Sequence, residues 1–69
     1  MAQKQLNRIK IMLLEKGRTS RELAAHLGKT EITISRWATN TAQPSLETLF
    51  AIAKYLDVNV CELLVNNKK

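Results

Sequence analysis

His26 and Cys61 are the only histidine and the only cysteine in this chain, so a cysteine–histidine pair has one candidate for each part. His26 falls in the middle of a helical pattern, where a lone histidine reads as a surface or hydrogen-bonded residue rather than a base. Cys61 stands beside Val60 and close to Leu63 and Leu64, which reads as a small buried hydrophobe. The two together fall short of the three or four ligands of a zinc site, so no metal is expected. Gly17 and Gly28 are the only glycines, too few for a phosphate-cradling loop. Neither catalysis nor a cofactor is expected. What remains is hydrogen-bonding and ionic chemistry on an exposed face, and the stretch EITISRWATN, residues 31–40, offers one. Ile34 and Trp37 are three apart, as a helix with one buried side requires, and Glu31, Thr33, Ser35 and Arg36 lie before and between them.

The elements that position such a face must be small. At 69 residues the chain has room for one domain, expected over residues 1–69. A chain of this length buries about 60% of its unfolded surface, which leaves little space for an internal substrate cavity. Its 45% hydrophobic content belongs to a folded domain, and only Trp37, Phe50 and Tyr55 are aromatic. A core of Leu, Ile, Val and Ala suits packed helices. One cysteine cannot form an internal disulfide, no apolar run approaches a membrane span, and the first residues lack a secretion signal. A cytoplasmic protein without membrane association is expected.

Charge is unevenly placed. Residues 1–36 hold eight bases and three acids, whereas residues 37–69 hold three of each, so the whole net charge of +5 lies in the first half. That asymmetry suggests a polyanionic partner, either nucleic acid or a lipid headgroup surface. The bases are not gathered opposite an apolar face, which disfavours the lipid surface. Lys4, Lys10 and Lys16 read as solvated charges, and Arg18 and Arg21 as candidates to pair with Glu22 or Glu15.

Five short helices follow from their end signals. KQLNRIKIMLLEKG carries a stripe of Leu6, Ile9, Leu13 and Leu14, with Ile11 and Met12 partly outside it, and stops at Gly17. TSRELAAHLG opens with a capping box, Thr19 with Glu22, buries Leu23, Ala24 and Leu27, and stops at Gly28. Thr30 can cap EITISRWA, and Asn40 can end it in the left-handed conformation. Pro44 and Ser45 then start LETLFAIAKYL, with Leu49, Ile52, Ala53 and Leu56 inward and Leu46 and Phe50 flanking. Asn59 and Glu62 suit the start of a last helix, VCELLV. The expected fold is all-α, a compact five-helix bundle.

Only Gly28-Lys29-Thr30 separates the second helix from the third, a turn tight enough to make them cross steeply, near 90–120°. Ala24 is small enough to let them approach. Ile34 and Trp37 then face the core, while Glu31, Ile32, Ser35 and Arg36 project outward. An exposed Ile32 is poorly explained as plain surface and could meet a thymine methyl group.

From Ser20 to Trp37 the sequence resembles the helix-turn-helix of the phage repressor and Cro family (XRE-type, lambda-repressor-like), with Leu23, Ala24, Leu27, Gly28, Thr30, Ile34 and Trp37 in place. NRIK, QPSLETL and LDVNVCELL extend the likeness over nearly the whole chain, with the helix-turn-helix at about residues 20–38 and helices four and five at about 46–65. The resemblance implies a regulator of transcription that binds double-stranded operator DNA, usually as a two-fold homodimer. It places Glu31, Ile32, Ser35 and Arg36 at base edges in the major groove. It places Arg8, Ser20, Thr33, Thr39, Thr41 and Gln43 at phosphates. For the dimer surface the expectation is Val58, Val60, Leu64 and Val65.

Departures from the family pattern are Ser20 and Glu31 where glutamine is common, Lys29 for an apolar turn residue, and Asn40 for a glycine. The loop at Thr41 and Ala42 is often more basic. These changes imply weaker non-specific affinity. The alternative reading is an antitoxin or small adaptor whose main task is to hold a partner protein.

Overall fold

A computed structural model describes residues 5–65. Within them lie α1 (Ile9–Glu15), α2 (Ser20–Leu27), α3 (Glu31–Ala38) and α4 (Leu46–Leu56), followed by one 3-10 turn, Val60–Leu63. The termination signals expected at Gly17, Gly28 and Asn40 operate, and Asp57 ends α4 in the same way. Gly17, Gly28, Asn40 and Asp57 all take positive φ, from 58° to 69°. Each is followed by a backbone N–H that reaches back to the last turn: Arg18 to Leu13, Lys29 to Ala24, Thr41 to Arg36, and Val58 to Ala53. The same closure thus ends all four helices and satisfies carbonyls that would otherwise lack partners.

The starts are also specified locally. Thr19 accepts from the Glu22 N–H at 3.1 Å while the Glu22 carboxylate accepts from the Thr19 N–H at 2.9 Å. Thr30 accepts from the Thr33 N–H and Ser45 from the Thr48 N–H, both at 3.2 Å. Losing one such cap costs about 1 kcal/mol. The core joins Ile9, Met12 and Leu13 of α1 to Leu23 and Ala24, Ile34 and Trp37, and Leu49, Ile52, Ala53 and Leu56, with Leu63 closing it. Ile9, Leu23, Ile34, Ile52 and Leu63 are fully buried, each worth roughly 1.5–3 kcal/mol. Helices α2 and α3 pack most extensively on each other.

Three expectations are corrected. The first helix begins at Ile9, and its buried face is Ile9, Met12 and Leu13, while Leu6 and Leu14 are exposed. Upstream of Arg8 the chain pairs instead with the C-terminal segment: Asn7 and Leu64 form an antiparallel bridge, the Val65 N–H donates to the Leu6 carbonyl, and Arg8 N–H to Leu63. With the helix starting later, Met12 falls three residues from Ile9 and enters the stripe. The fifth helix is only the 3-10 turn, because Leu64 is already extended in that bridge. Cys61 is exposed rather than buried. In a 3-10 turn, residues three apart eclipse, so Val60 and Leu63 share the inward side and Cys61 is turned away from it.

His26 is exposed, and its ring lies 4.4 Å from that of Tyr55. The Arg18 guanidinium lies over the same Tyr55 ring, 5.2 Å from its centre. Among the described residues no helix is long and apolar enough to cross a membrane, and no group of three or more His, Cys, Asp or Glu could hold a metal ion.

Candidate nucleic-acid interface

Helix α3 turns about 100° per residue, which puts Glu31, Ile32, Ser35 and Arg36 within roughly 140° of its circumference. Ile34 and Trp37 fall on the opposite side, and both are buried. All four outward residues are exposed, Ile32 at 73%. An isoleucine so placed gains nothing from the core. The face combines an acceptor, a methyl-bearing side chain, a hydroxyl and a guanidinium, which is the variety of groups needed to distinguish base edges.

Behind that face the helix end is heavily bonded. The Ser35 carbonyl accepts from the Thr39 N–H and hydroxyl, both at 3.0 Å. The Arg36 carbonyl accepts from Thr41 and Ala42 N–H groups. Thr39 and Thr41 hydroxyls are 2.9 Å apart in the following loop, where both residues are exposed. Thr33 is half-buried, with its hydroxyl 3.0 Å from that of Thr30. Ser20, also half-buried, is the first residue of α2. Arg8 is half-buried beside the last turn, its guanidinium 3.5 Å from the Glu62 carbonyl. The structure therefore brings Glu31, Ile32, Ser35 and Arg36 onto one face, gathers Thr39, Thr41 and Gln43 in the loop after it, and sets Arg8 and Ser20 on other elements.

The Gln43 carboxamide is turned inward at both ends. Its Oε1 accepts from Asn7 Nδ2 at 2.7 Å and its Nε2 donates to Asn40 Oδ1 at 3.1 Å. One Nε2 hydrogen is left over from these two bonds. Asn7 and Asn40 are the residues that sequence reasoning missed as contributors. They are 3% and 7% exposed, and among the described residues no buried side-chain nitrogen or oxygen lacks a partner. The available signal was the asparagine itself: a left-handed position that glycine fills freely had been given a side chain with two donor hydrogens and two acceptor lone pairs.

The Helix-turn-helix family model matches residues 9–63, from the first residue of α1 to the last of the 3-10 turn. The chain belongs to the XRE-type helix-turn-helix family. It is a helix-turn-helix protein in which α2 and α3 are the paired helices and Gly28-Lys29-Thr30 the turn. It is also similar to a crystal structure of a protein from Bacteroides fragilis proposed to bind DNA, with 52% identity and a TM-score of 0.86. The likeness covers 87% of this chain and 97% of that one. No curated protein matches the sequence. The family is one of DNA-binding transcription regulators, and this helix-turn-helix chain takes its place among them.

Proposed function

We propose that the chain is a cytoplasmic, sequence-specific regulator of transcription, a single helix-turn-helix domain over residues 1–69. It acts without a cofactor and reads a palindromic operator as a two-fold homodimer. The observation that carries this reading is the outward face of α3, where Ile32 is 73% exposed beside exposed Glu31, Ser35 and Arg36. In the major groove Arg36 donates two hydrogen bonds to one guanine, Ile32 packs on a thymine methyl, Glu31 accepts from a cytosine N4 group, and Ser35 meets either a donor or an acceptor. Arg8, Ser20, Thr33, Thr39, Thr41 and Gln43 hold phosphates and set the register. Gln43 uses its remaining Nε2 hydrogen. Thr39 exchanges its bond to the Ser35 carbonyl for one to a phosphate. Glu31 faces the duplex's negative field, which lowers affinity for unrelated sequences more than for a site that supplies its donor.

Two copies meet along the mostly apolar groove of about 400 Å³ lined by Phe50, Ala53, Lys54, Val58, Asn59, Val60 and Cys61, which takes in Val58 and Val60 of the expected dimer surface but not Leu64 or Val65. Phe50 is 56% exposed on its rim. The half of the sequence that carries this groove has no net charge, so two copies approach there with Lys54 as the one cation among its described residues and without the repulsion their basic halves would impose. Phe50→Glu is expected to leave the protein folded but monomeric on operator DNA in sedimentation. A dimer that persists in this variant overturns the assignment of the groove.

The test of the function is selection from random duplexes at near-physiological salt. The expected product is a palindrome with half-site centres about 34–36 Å apart, or a multiple of that. Recovery of no enriched sequence rules the reading out.

A further inference from the structure

Where the N-terminal segment crosses the end of α3 there is a second recess, of about 290 Å³. Arg8, Lys10 and Ile11 border it from one side and Ala38 and Thr39 from the other, with Asn7 also lining it. No acidic residue lines it. We infer that this recess seats one phosphodiester of the bound duplex, with Arg8 and Lys10 supplying the charge and Asn40 acting as the positioning residue that holds Arg8 there. The inference rests on the DNA reading proposed above. It adds Lys10 and Asn40 to the residues that decide affinity.

The role of Asn40 follows from where its bonds go. Its Oδ1 accepts from the backbone N–H of Leu6 at 2.8 Å and of Asn7 at 3.0 Å. Its Nδ2 donates to the Asn7 carbonyl at 3.2 Å and to Gln5 Oε1 at 3.3 Å. Four bonds thus grip residues 5–7, immediately before Arg8, and a fifth ties in Gln43. Asn7 completes the clamp by donating from Nδ2 to the Trp37 carbonyl at 3.0 Å and accepting from the Ile9 N–H at 3.1 Å. The segment that presents Arg8 is therefore locked to the last turn of the helix that presents Arg36. Glycine at position 40 would accept the φ of 62° freely but would hold nothing.

A cation on a phosphate releases counterions, so its loss shows in the salt dependence of binding, which the loss of a neutral contact or of folded protein does not alter. Asn40→Gly is expected to stay folded, with the active fraction fixed by stoichiometric titration. It should weaken binding by about tenfold, the scale of one hydrogen bond to a charged group. That factor should be the same on the selected operator and on a random-sequence duplex. The salt slope should flatten by about 0.9 per bound chain. Arg8→Ala should do the same, and Asn40→Gly with Arg8→Ala should be no weaker than Arg8→Ala alone, because Asn40 acts through Arg8. Lys10→Ala, an exposed change that leaves the clamp intact, should flatten the slope as well, and combined with Arg8→Ala the total should not exceed about 0.9, because the two cations share one phosphate.

The seat is refuted if Lys10→Ala leaves the slope unchanged. The positioning role of Asn40 is refuted if its substitution lowers affinity at constant slope, or if the losses multiply in the double variant. Either result with a wild type that binds its operator in the ordinary salt-dependent way leaves the DNA reading standing. A wild type that binds no duplex removes both.

Discussion

Trp37→Ala is expected to remove between about 30% of the folding stability of the protein and all of it. Large-to-small changes of a buried tryptophan cost roughly 3–5 kcal/mol. A chain of this length has a total stability of about 3–10 kcal/mol, on the scale of 0.05–0.15 kcal/mol per residue. The substitution therefore removes about 30% of the stability at the upper bound and all of it at the lower. Trp37 is the largest side chain of the core and only 8% exposed, in the same buried cluster as Ile9, Leu23 and Ile34. No nearby element is free to collapse into the gap. The α2–α3 turn is closed at Gly28 and the end of α3 is tied to Asn7.

The measurement is a thermal melt followed by far-ultraviolet circular dichroism. A loss of 3 kcal/mol corresponds to a fall of at least about 12 °C at this size. A melting temperature within a few degrees of the wild type would mean that α3 is not held by its buried side, and the argument for an outward reading face would lose its basis. Trp37→Phe keeps most of the buried area and should fall by much less, which separates loss of volume from loss of a particular contact.

How much of this was legible in the sequence depends on the range of the interactions involved. The α2–turn–α3 unit was readable because its instructions are local: Thr19 with Glu22, Gly28, Thr30 and the Ile34–Trp37 spacing all act within a few residues. The inward side of α4 was readable for the same reason. The start of α1 was not, because residues 5–7 are drawn out of the helix by pairing with a segment nearly sixty residues away. Cys61 was misjudged because a 3-10 turn faces its residues differently from the α-helix its neighbours suggest. At the candidate interface, the exposure of Glu31, Ile32, Ser35 and Arg36 followed from helical period alone. The left-handed backbone of Asn40 was foreseeable from its residue type. Its bonds were not, because four of the five go to residues 5–7, thirty-three to thirty-five positions away on another segment.

Arg36→Ala is expected to leave the fold intact and to abolish preference for one base pair in each half-site. Arg36 is exposed, so its removal should move stability by no more than about 0.5 kcal/mol. Its carbonyl, which receives the Thr41 and Ala42 N–H groups, is untouched by the substitution. A bidentate arginine–guanine pair contributes roughly 1–3 kcal/mol of discrimination, or about fivefold to 150-fold per half-site. A two-fold dimer makes the contact twice, so the factor for the whole operator is the square. The experiment compares the selected operator with variants carrying one changed base pair at each position, for wild type and Arg36→Ala side by side. Wild type should reject a change at the guanine, and the variant should be indifferent there while still rejecting changes elsewhere. Arg36→Lys should recover charge but not discrimination, since an ammonium cannot make the two parallel bonds. Equal loss on every sequence would place Arg36 at a phosphate instead, and the reading of bases would then have to rest on Glu31, Ile32 and Ser35, none of which offers a comparable fork of donors.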